Sequence, residues 1–465
     1  MDELQKPKTF RDTVSTVDKE GHRKWIYALQ PKGYLYKLRT YVSWVYLAIF
    51  FAIPFIKING VPFLQFNILE RRFIFFGKIF TPDDFFIFAV GMITFIVFIV
   101  LFTVIYGRIF CGWVCPQTIF MEMVFRKIEY WIEGSANDQK VLDRSEWNTN
   151  KILRRGGKHL AFFLLSFIIA NTFLTYIIGV ENLIKYAREP FYEHFGLIFG
   201  LLAFTLIFYA IYAFVRELAC IVICPYGRLQ SVLLDKDTVV VAYDYVRGEP
   251  RGKIHKGAER TNGDCIDCNQ CVAVCPTGID IRNGTQMECT NCTACIDACN
   301  FMMDKVGLPQ DLIRYASENN IAEGKKLEFT GRMKAYTVIL ALLIGLMAFL
   351  LITRDNIDAH ITRSKGQLFT EVDNNKLANF YEIKLINKTN EDIAFNLKLE
   401  NIGGEIKLVG TDKIIAKTLQ QGKANFMIIL DKEKVKEYKT NLEIALYDGN
   451  KKIRTIKTNF LGPFK

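Results

Sequence analysis

The chain has 465 residues, 51% of them hydrophobic, and a formal net charge of +11. It is long enough for several domains, and its apolar residues gather in unbroken runs of the kind that belong in lipid. Because the surplus basic residues flank those runs, the charge reads as membrane-side compensation and not as a nucleic-acid surface.

The first forty residues carry Lys6, Lys8, Arg11, Arg23, Lys24, Lys32, Lys37 and Arg39 and no apolar run. No cleavable signal peptide is expected, and the first membrane helix is itself the targeting signal. Five runs approach the ~20 residues needed to cross a hydrocarbon core. They cover about 41–56, 85–106, 160–180, 195–215 and 335–353; the first is the shortest and contains Pro54. Basic residues crowd the stretch after the second run (Arg126, Lys127, Lys151, Arg154, Arg155, Lys158) and the stretch after the fourth (Arg228, Arg247, Arg251, Lys253, Lys256, Arg260). The positive-inside rule places both stretches and the N-terminus in the cytoplasm, with Arg71 and Arg72 dissenting. Five crossings then put everything after Thr353 outside.

All twelve cysteines fall into two patterns. Four form two copies of C-x3-C-P, Cys111, Cys115, Pro116 and Cys220, Cys224, Pro225, each just beyond an even-numbered run and each preceded by an arginine, Arg108 or Arg216. Two spans plus one such motif read as a duplicated unit. Residues at i and i+4 share a helix face, so each pair would present two thiols together, and the duplication would bring the pairs face to face near the inner membrane surface. Four converging thiolates suit Cu(I) or a further iron-sulfur centre. Ordinary buried cysteines and a reversible thiol-disulfide pair remain alternatives.

The other eight, Cys265, Cys268, Cys271, Cys275 and Cys289, Cys292, Cys295, Cys299, repeat C-x2-C-x2-C-x3-C, the spacing of a two-[4Fe-4S] ferredoxin. In that arrangement the last cysteine of each run ligates the other cluster, giving Cys265, Cys268, Cys271 and Cys299 for one cubane and Cys289, Cys292, Cys295 and Cys275 for its neighbour. Pro276 follows the first run and Asn300 the second. Zinc would use two C-x2-C pairs across a longer loop, and disulfides would need an oxidising compartment.

His159 and His194 mark opposite ends of the third and fourth spans, so a shared membrane haem is not expected. His22, His255 and His360 read as solvated. Met121, Met123, Met302 and Met303 read as apolar filler before copper ligands. After Arg354, short alternating runs at 380–386, 393–399, 405–409, 426–430, 442–447 and 453–458 suggest an immunoglobulin-like β-sandwich, lacking any catalytic motif and suited to partner binding or spacing.

The expected organisation is a multi-domain membrane protein. It has a cytoplasmic basic segment (1–38), a four-span bundle with the duplicated motif (39–230), a cytoplasmic ferredoxin-like α+β domain (231–330), a fifth span (335–353) and an extracytoplasmic sandwich (354–465).

Six segments carry a resemblance: CGWVCPQT (111–118), CIVICPYGRLQ (220–230), YVRGEPRG (245–252), GDCIDCNQCVAVCPTGIDI (263–281), ECTNCTACIDAC (288–299) and GLPQDLIRYAS (307–317). In order and spacing they resemble the cytochrome c oxidase accessory proteins, membrane polyferredoxins associated with assembly of cbb3-type haem-copper oxidases. The resemblance implies a bacterial inner-membrane location with five spans and an immunoglobulin-like end. It also implies a role in maturing the oxidase, with electrons supplied for reducing Cu(II) to the inserted Cu(I). Its implied partners are a cytoplasmic electron donor and oxidase-assembly or copper-delivery proteins. Competing functions are a respiratory subunit exchanging electrons with quinone and a scaffold whose clusters only support its fold.

Overall fold

A computed structural model describes residues 16, 20, 22–68, 72–80, 85–253, 261–325, 331–354, 357–364, 368–372, 375–387, 392–410, 414–416, 421–435, 437–449 and 451–463. Lys6, Lys8, Arg11, Arg71, His255, Lys256 and Arg260, on which parts of the charge and histidine readings fall, lie outside them. Among the described residues five helices are long and apolar enough to cross a membrane: Tyr34–Phe55, Phe85–Tyr106, Thr149–Ile178, Tyr192–Val215 and Met333–Ile352. Phe86, Phe95, Leu342 and Phe349 stand exposed on them. Apolar side chains displayed along helices of this length are covered by lipid, where intrahelical bonding satisfies every backbone group.

The first and third helices start well before their apolar runs, and capping explains both. Asn148 accepts a bond from Lys151 N at 2.8 Å at the start of Thr149–Ile178. The first helix takes its cap from far away in the chain. Asp297 accepts from Leu35 N at 3.1 Å and from Tyr36 N at 2.7 Å, satisfying N–H groups that have no intrahelical partner. Gly33 makes this approach possible, since a Cβ there would lie 2.3 Å from the Asp297 carboxyl carbon.

The chain forms two compact units, Met1–Pro54 with Phe88–Met347, and Phe55–Ile87 with Ala348–Lys465. In the first, the cysteine-rich segment is bracketed by an antiparallel pair, Val240–Tyr243 with Ile313–Ala316, and its second run continues into the helix Ala294–Val306. Val241, Ile279, Ile296, Met303, Leu312 and Ile313 form its core together with Cys265, Cys271 and Cys299. Each buried aliphatic side chain contributes about 1.5–3 kcal/mol. The bundle core lies where the π-helical stretch Ile119–Phe125 meets the π-helical turn Ile211–Val215. There Phe125 stacks on Tyr212 with ring centroids 4.5 Å apart and planes 3° from parallel, and Phe162 closes on Phe125 at 4.9 Å. The N-terminal segment ties the parts together. Leu29 N donates to Ala273 O at 2.8 Å, and Tyr130 OH donates to Ala28 O at 2.9 Å.

The second unit holds an antiparallel two-sheet sandwich. One sheet runs Glu405–Val409, Gln421–Asp431, Lys376–Asn387, Ile357–Arg363, with Thr370–Val372 also on Lys376–Asn387; the other runs Ile414–Ala416, Ile393–Leu399, Lys439–Asp448, Lys451–Leu461. Leu377, Tyr381, Ile383 and Leu385 alternate inward from one sheet and meet Phe395, Leu442, Ile444 and Phe460 from the other. Tyr381 OH crosses between sheets to donate to Asn459 O at 2.9 Å. The short strands between Lys57 and Phe80 belong to this unit, and no sequence expectation covered them. Lys78 Nζ bonds Leu351 O at 2.8 Å, and the Arg354 guanidinium lies 4.3 Å over the Phe80 ring.

Removing the distant cap tests the tie between the two parts of the first unit. Asp297→Ala is expected to lower stability by about 1 kcal/mol, with Asp297→Asn retaining most of it. Gly33→Ala, which displaces the carboxylate, is expected to lose at least as much. Thermal unfolding followed by intrinsic fluorescence in detergent measures all three.

Candidate iron-sulfur and thiol centres

The two cysteine runs adopt the same backbone. Asp267 and Asn269 flank Cys268, Asn291 and Thr293 flank Cys292, and all four take the left-handed conformation (φ 53°, 56°, 53° and 64°). Asn and Asp tolerate this region; the β-branched Thr293 occupies it at a cost of order 1–3 kcal/mol. Alternating hands curl each run so that its first three sulfurs converge, and the backbone N–H of Asn291 bonds the Cys289 sulfur. Thr277 stands 3.4 Å from the Cys275 sulfur.

The fourth member of each group comes from the other run. Cys299 interacts with Cys271, Cys268 and Cys265, while Cys275 and Cys289 interact with Cys292 and Cys295 with Cys292, Cys289 and Cys275. Cys271, Cys275, Cys289, Cys292 and Cys295 line a shared pocket with Ile279, Ile281 and Thr293. Burial pushes the Cys271, Cys289 and Cys299 thiols up to about 12 and raises Cys275 and Cys295 too. Such sulfurs become thiolates only when a cation compensates them, and buried, sulfur-only groups fit iron-sulfur clusters and not oxygen-seeking ions.

The membrane-side cysteines also converge, but not as an i,i+4 helical pair. Cys111 sits in the short helix Ile109–Trp113, whereas Cys115 is extended (φ −58°, ψ 126°) and precedes a new helix opening on Pro116. Cys224 (φ −68°, ψ 111°) repeats this before Pro225, after the π-helical turn Ala219–Ile223. Proline disfavours helical backbone in the residue before it and suits the first helical position, so each motif breaks the helix between its thiols. In both copies the second cysteine's N–H reaches back five residues, Cys115 N to Phe110 O at 2.9 Å and Cys224 N to Ala219 O at 2.8 Å. Across the duplication, Cys111 donates to Gln230 Oε1 at 3.0 Å and Thr118 stands against Cys220. Cys220 interacts with Cys115, Cys111 and Cys224; burial first, then these neighbours, push Cys111 and Cys220 up to about 12, with Arg108 acting in the opposite sense on Cys111.

Several contributors carried no sequence signal. Of the basic residues after the second span, Arg126 and Lys158 are buried in ion pairs and Arg155 is half-buried in one, and Arg216 and Arg23 from elsewhere in the chain join them. Arg216 Nη2 meets Glu129 at 2.7 Å, Lys158 meets Glu133 at 2.9 Å, Arg126 meets Glu122 at 3.2 Å and Arg23 meets Glu217 at 3.1 Å. Burial alone would raise the Glu129 carboxyl, but Arg216, Lys158 and Arg126 hold it below its ordinary range. Arg216 has a left-handed φ of 54° and lies over one face of Trp25, which Arg23 also contacts. Arg247 pairs with Asp264 at 2.5 Å and reaches the carbonyls of Pro309 and Gln310; Arg314 pairs with Asp244 at 3.1 Å. These contacts give the 245–252 and 307–317 segments their place beside the cysteines. Met121, Met123 and Met303 are buried core residues, Met302 is half-buried, and His360 is exposed. His159 Nδ1 meets Tyr209 OH at 2.8 Å, while His194 Nε2 meets Glu189 at 2.5 Å.

Five membrane-length helices joined to paired ferredoxin-type cysteine runs define a membrane-anchored iron-sulfur electron-transfer protein. Residues 215–318 match the 4Fe-4S dicluster domain, 88–134 a 4Fe-4S binding domain, and 347–463 the Ig-like fold at the C-terminus of FixG. Protein RdxA of Cereibacter sphaeroides is 33% identical over 82% of this chain and 83% of its own; RdxB of the same organism is 32% identical over 79% and 80%. Nitrogen fixation protein FixG of Rhizobium meliloti is 29% identical over 86% of each. The chain belongs to this FixG-like family of cytochrome oxidase accessory proteins.

Glu129→Gln leaves Arg216 and Lys158 with a neutral partner in a buried network and is expected to cost about 3 kcal/mol at pH 7. Because the folded-state Glu129 carboxyl titrates below its unfolded value, its contribution is complete above about pH 4.5 and fades as pH falls through the folded value. Melting curves of the two proteins are therefore expected to keep their separation from pH 7 down to about 4.5 and to converge only as the pH falls below it.

Proposed function

We propose that the protein supplies electrons for maturation of a cbb3-type cytochrome c oxidase, taking them from a cytoplasmic donor and delivering them to Cu(II) held as substrate at Cys111, Cys115, Cys220 and Cys224. Cys265, Cys268, Cys271 and Cys299 would hold one [4Fe-4S] cluster and Cys289, Cys292, Cys295 and Cys275 a second; when bound, these supply one-electron carriage. The observation that carries the reading is the convergence of the four membrane-side thiols on a helix break beside the cysteine-rich region. Soft sulfur ligands favour Cu(I) over Cu(II), so the site itself would draw the substrate toward the reduced state. Arg108 offsets negative charge on Cys111, and Gln230 accepts from the same thiol. Basic residues on the cysteine-rich side favour the cytoplasm for that side, with the sandwich outside and the protein in the bacterial inner membrane.

A second reading, electron exchange with quinone, draws on a cleft of about 730 Å³ where Ile221, Val222, Val232, Leu234 and Met287 face Arg108 and Arg228. Its volume suits a small amphipathic ligand.

Anaerobically purified protein is expected to carry about eight irons per chain. Cys111→Ser, Cys115→Ser, Cys220→Ser and Cys224→Ser together should preserve the iron and the dithionite-reducible EPR signals while abolishing Cu(II) reduction. Full copper reduction by that variant would remove the four-thiol assignment. Oxidation of the reduced protein by a soluble quinone would favour the second reading, and clusters that neither dithionite nor air could cycle would leave only a scaffold.

A further inference from the structure

The two cysteine groups of the ferredoxin-like region are not equivalent with respect to the bundle. Gly112, inside the first C-x3-C-P motif, lies directly on the second run. A Cβ at Gly112 would sit 2.6 Å from Asn291 O and 2.7 Å from Thr290 O, so only glycine permits this backbone-to-backbone approach. Arg39 spans the same junction. Its Nε donates to Gly112 O at 3.0 Å and its Nη1 to Cys292 O at 2.7 Å, and the residue is 5% exposed. Trp113 Nε1 donates to Tyr315 OH at 2.9 Å, and Tyr315 OH donates to Asn291 O at 3.3 Å. Arg108, three residues before Cys111, donates to Gly227 O beyond the second motif, to Met287 O just before the second run and to Cys289 O at its start. Its charge acts on both Cys111 and Cys289. The other group has different company. The cations acting on Cys271 and Cys299 are Arg282 and Arg247, which pair with Asp280, Asp267 and Asp264 of their own region.

We infer that Gly112 and Arg39 are positioning residues that dock the Cys275, Cys289, Cys292, Cys295 group onto the membrane-side thiols, making it the exit of the ferredoxin-like region and the Cys265, Cys268, Cys271, Cys299 group the entrance. This rests on the electron-delivery function proposed above and gives it a direction. In this direction the cluster that Cys275, Cys289, Cys292 and Cys295 would hold would give up one electron, replaced from the cytoplasmic donor through the other group, and Cu(II) bound as substrate at the membrane-side thiols would be reduced to Cu(I). A buried guanidinium bonded to a cysteine carbonyl also raises the reduction potential of whatever that cysteine holds, since positive charge favours the more negative state.

The test uses the full-length holoprotein with Arg39→Gln, Arg39→Lys, Gly112→Ala and Gly112→Val, assigning the two EPR signals with Cys268→Ser and Cys289→Ser. Arg39→Gln is expected to keep full iron and sulfide, to lower the potential of the Cys289-sensitive signal alone, and to slow Cu(II) reduction by dithionite-loaded protein about tenfold, because small misplacements of reacting groups are costly. Arg39→Lys should restore most of the potential. Gly112→Ala should slow copper reduction with both potentials nearly unchanged, and Gly112→Val more so; if the valine variant fails to fold, the alanine and Arg39 variants still decide. Wild-type potentials and rates in Arg39→Gln and Gly112→Ala would overturn the docking inference while leaving the function standing, provided the four-serine variant is inactive. A shift confined to the Cys268-sensitive signal would reverse entrance and exit. Copper reduction surviving in the four-serine variant would sink the function itself, and this inference with it.

Discussion

Curling a chain around a group of sulfurs requires left-handed backbone at two positions per run, and Asp267, Asn269, Asn291 and Thr293 adopt it. The rest of the first unit is arranged around that demand. A curled loop has little regular hydrogen bonding of its own, so its carbonyls look outward for donors. In the second run those donors come from the membrane side, with Arg39 on Cys292 O and Arg108 on Cys289 O. Arg39 lies within the first membrane-length helix, where an unpaired charge would be expensive, and the cysteine loop supplies one of its acceptors, Cys292 O, beside Gly112 O of the bundle. Loop and helix therefore each satisfy a need of the other.

The duplicated motif is built on interruption. A continuous helix would carry Cys111 and Cys115 one turn apart on one face, but Pro116 stops it and turns the second thiol onto a new helix start. The same happens at Pro225. π-Helical turns sit beside both breaks, where local widening changes the direction of the side chains and where functional sites recur. Pairing across the duplication by Gln230 and Thr118, and by Glu129 with Arg216, joins the two copies at the level of side chains.

What the sequence made legible follows from the range of each interaction. The number of spans, with 85–106 placed to the residue, and the strands 393–399 and 405–409 are set by local hydrophobic pattern, and the pattern reported them. Cysteine spacing is also local, and in the fold Cys299 lies near Cys265, Cys268 and Cys271 while Cys275 lies near Cys289, Cys292 and Cys295. Helix starts at Tyr34 and Thr149 were missed because their caps are polar and, for the first, distant. The short strands between Lys57 and Phe80 were missed because strands of two to four residues carry too few alternations to register. The burial of Arg126 and Lys158 was invisible because their acidic partners look, in sequence, like ordinary surface charge.

The cap on the first helix has a consequence for biogenesis. Asp297 lies 262 residues beyond Leu35, so on the ribosome the leading end of the first span remains unfinished until the second cysteine run has been translated. At ordinary elongation speeds that delay is on the order of tens of seconds. Insertion into the bilayer thus precedes completion of that helix, and the segment that completes it is the one that must also gather iron.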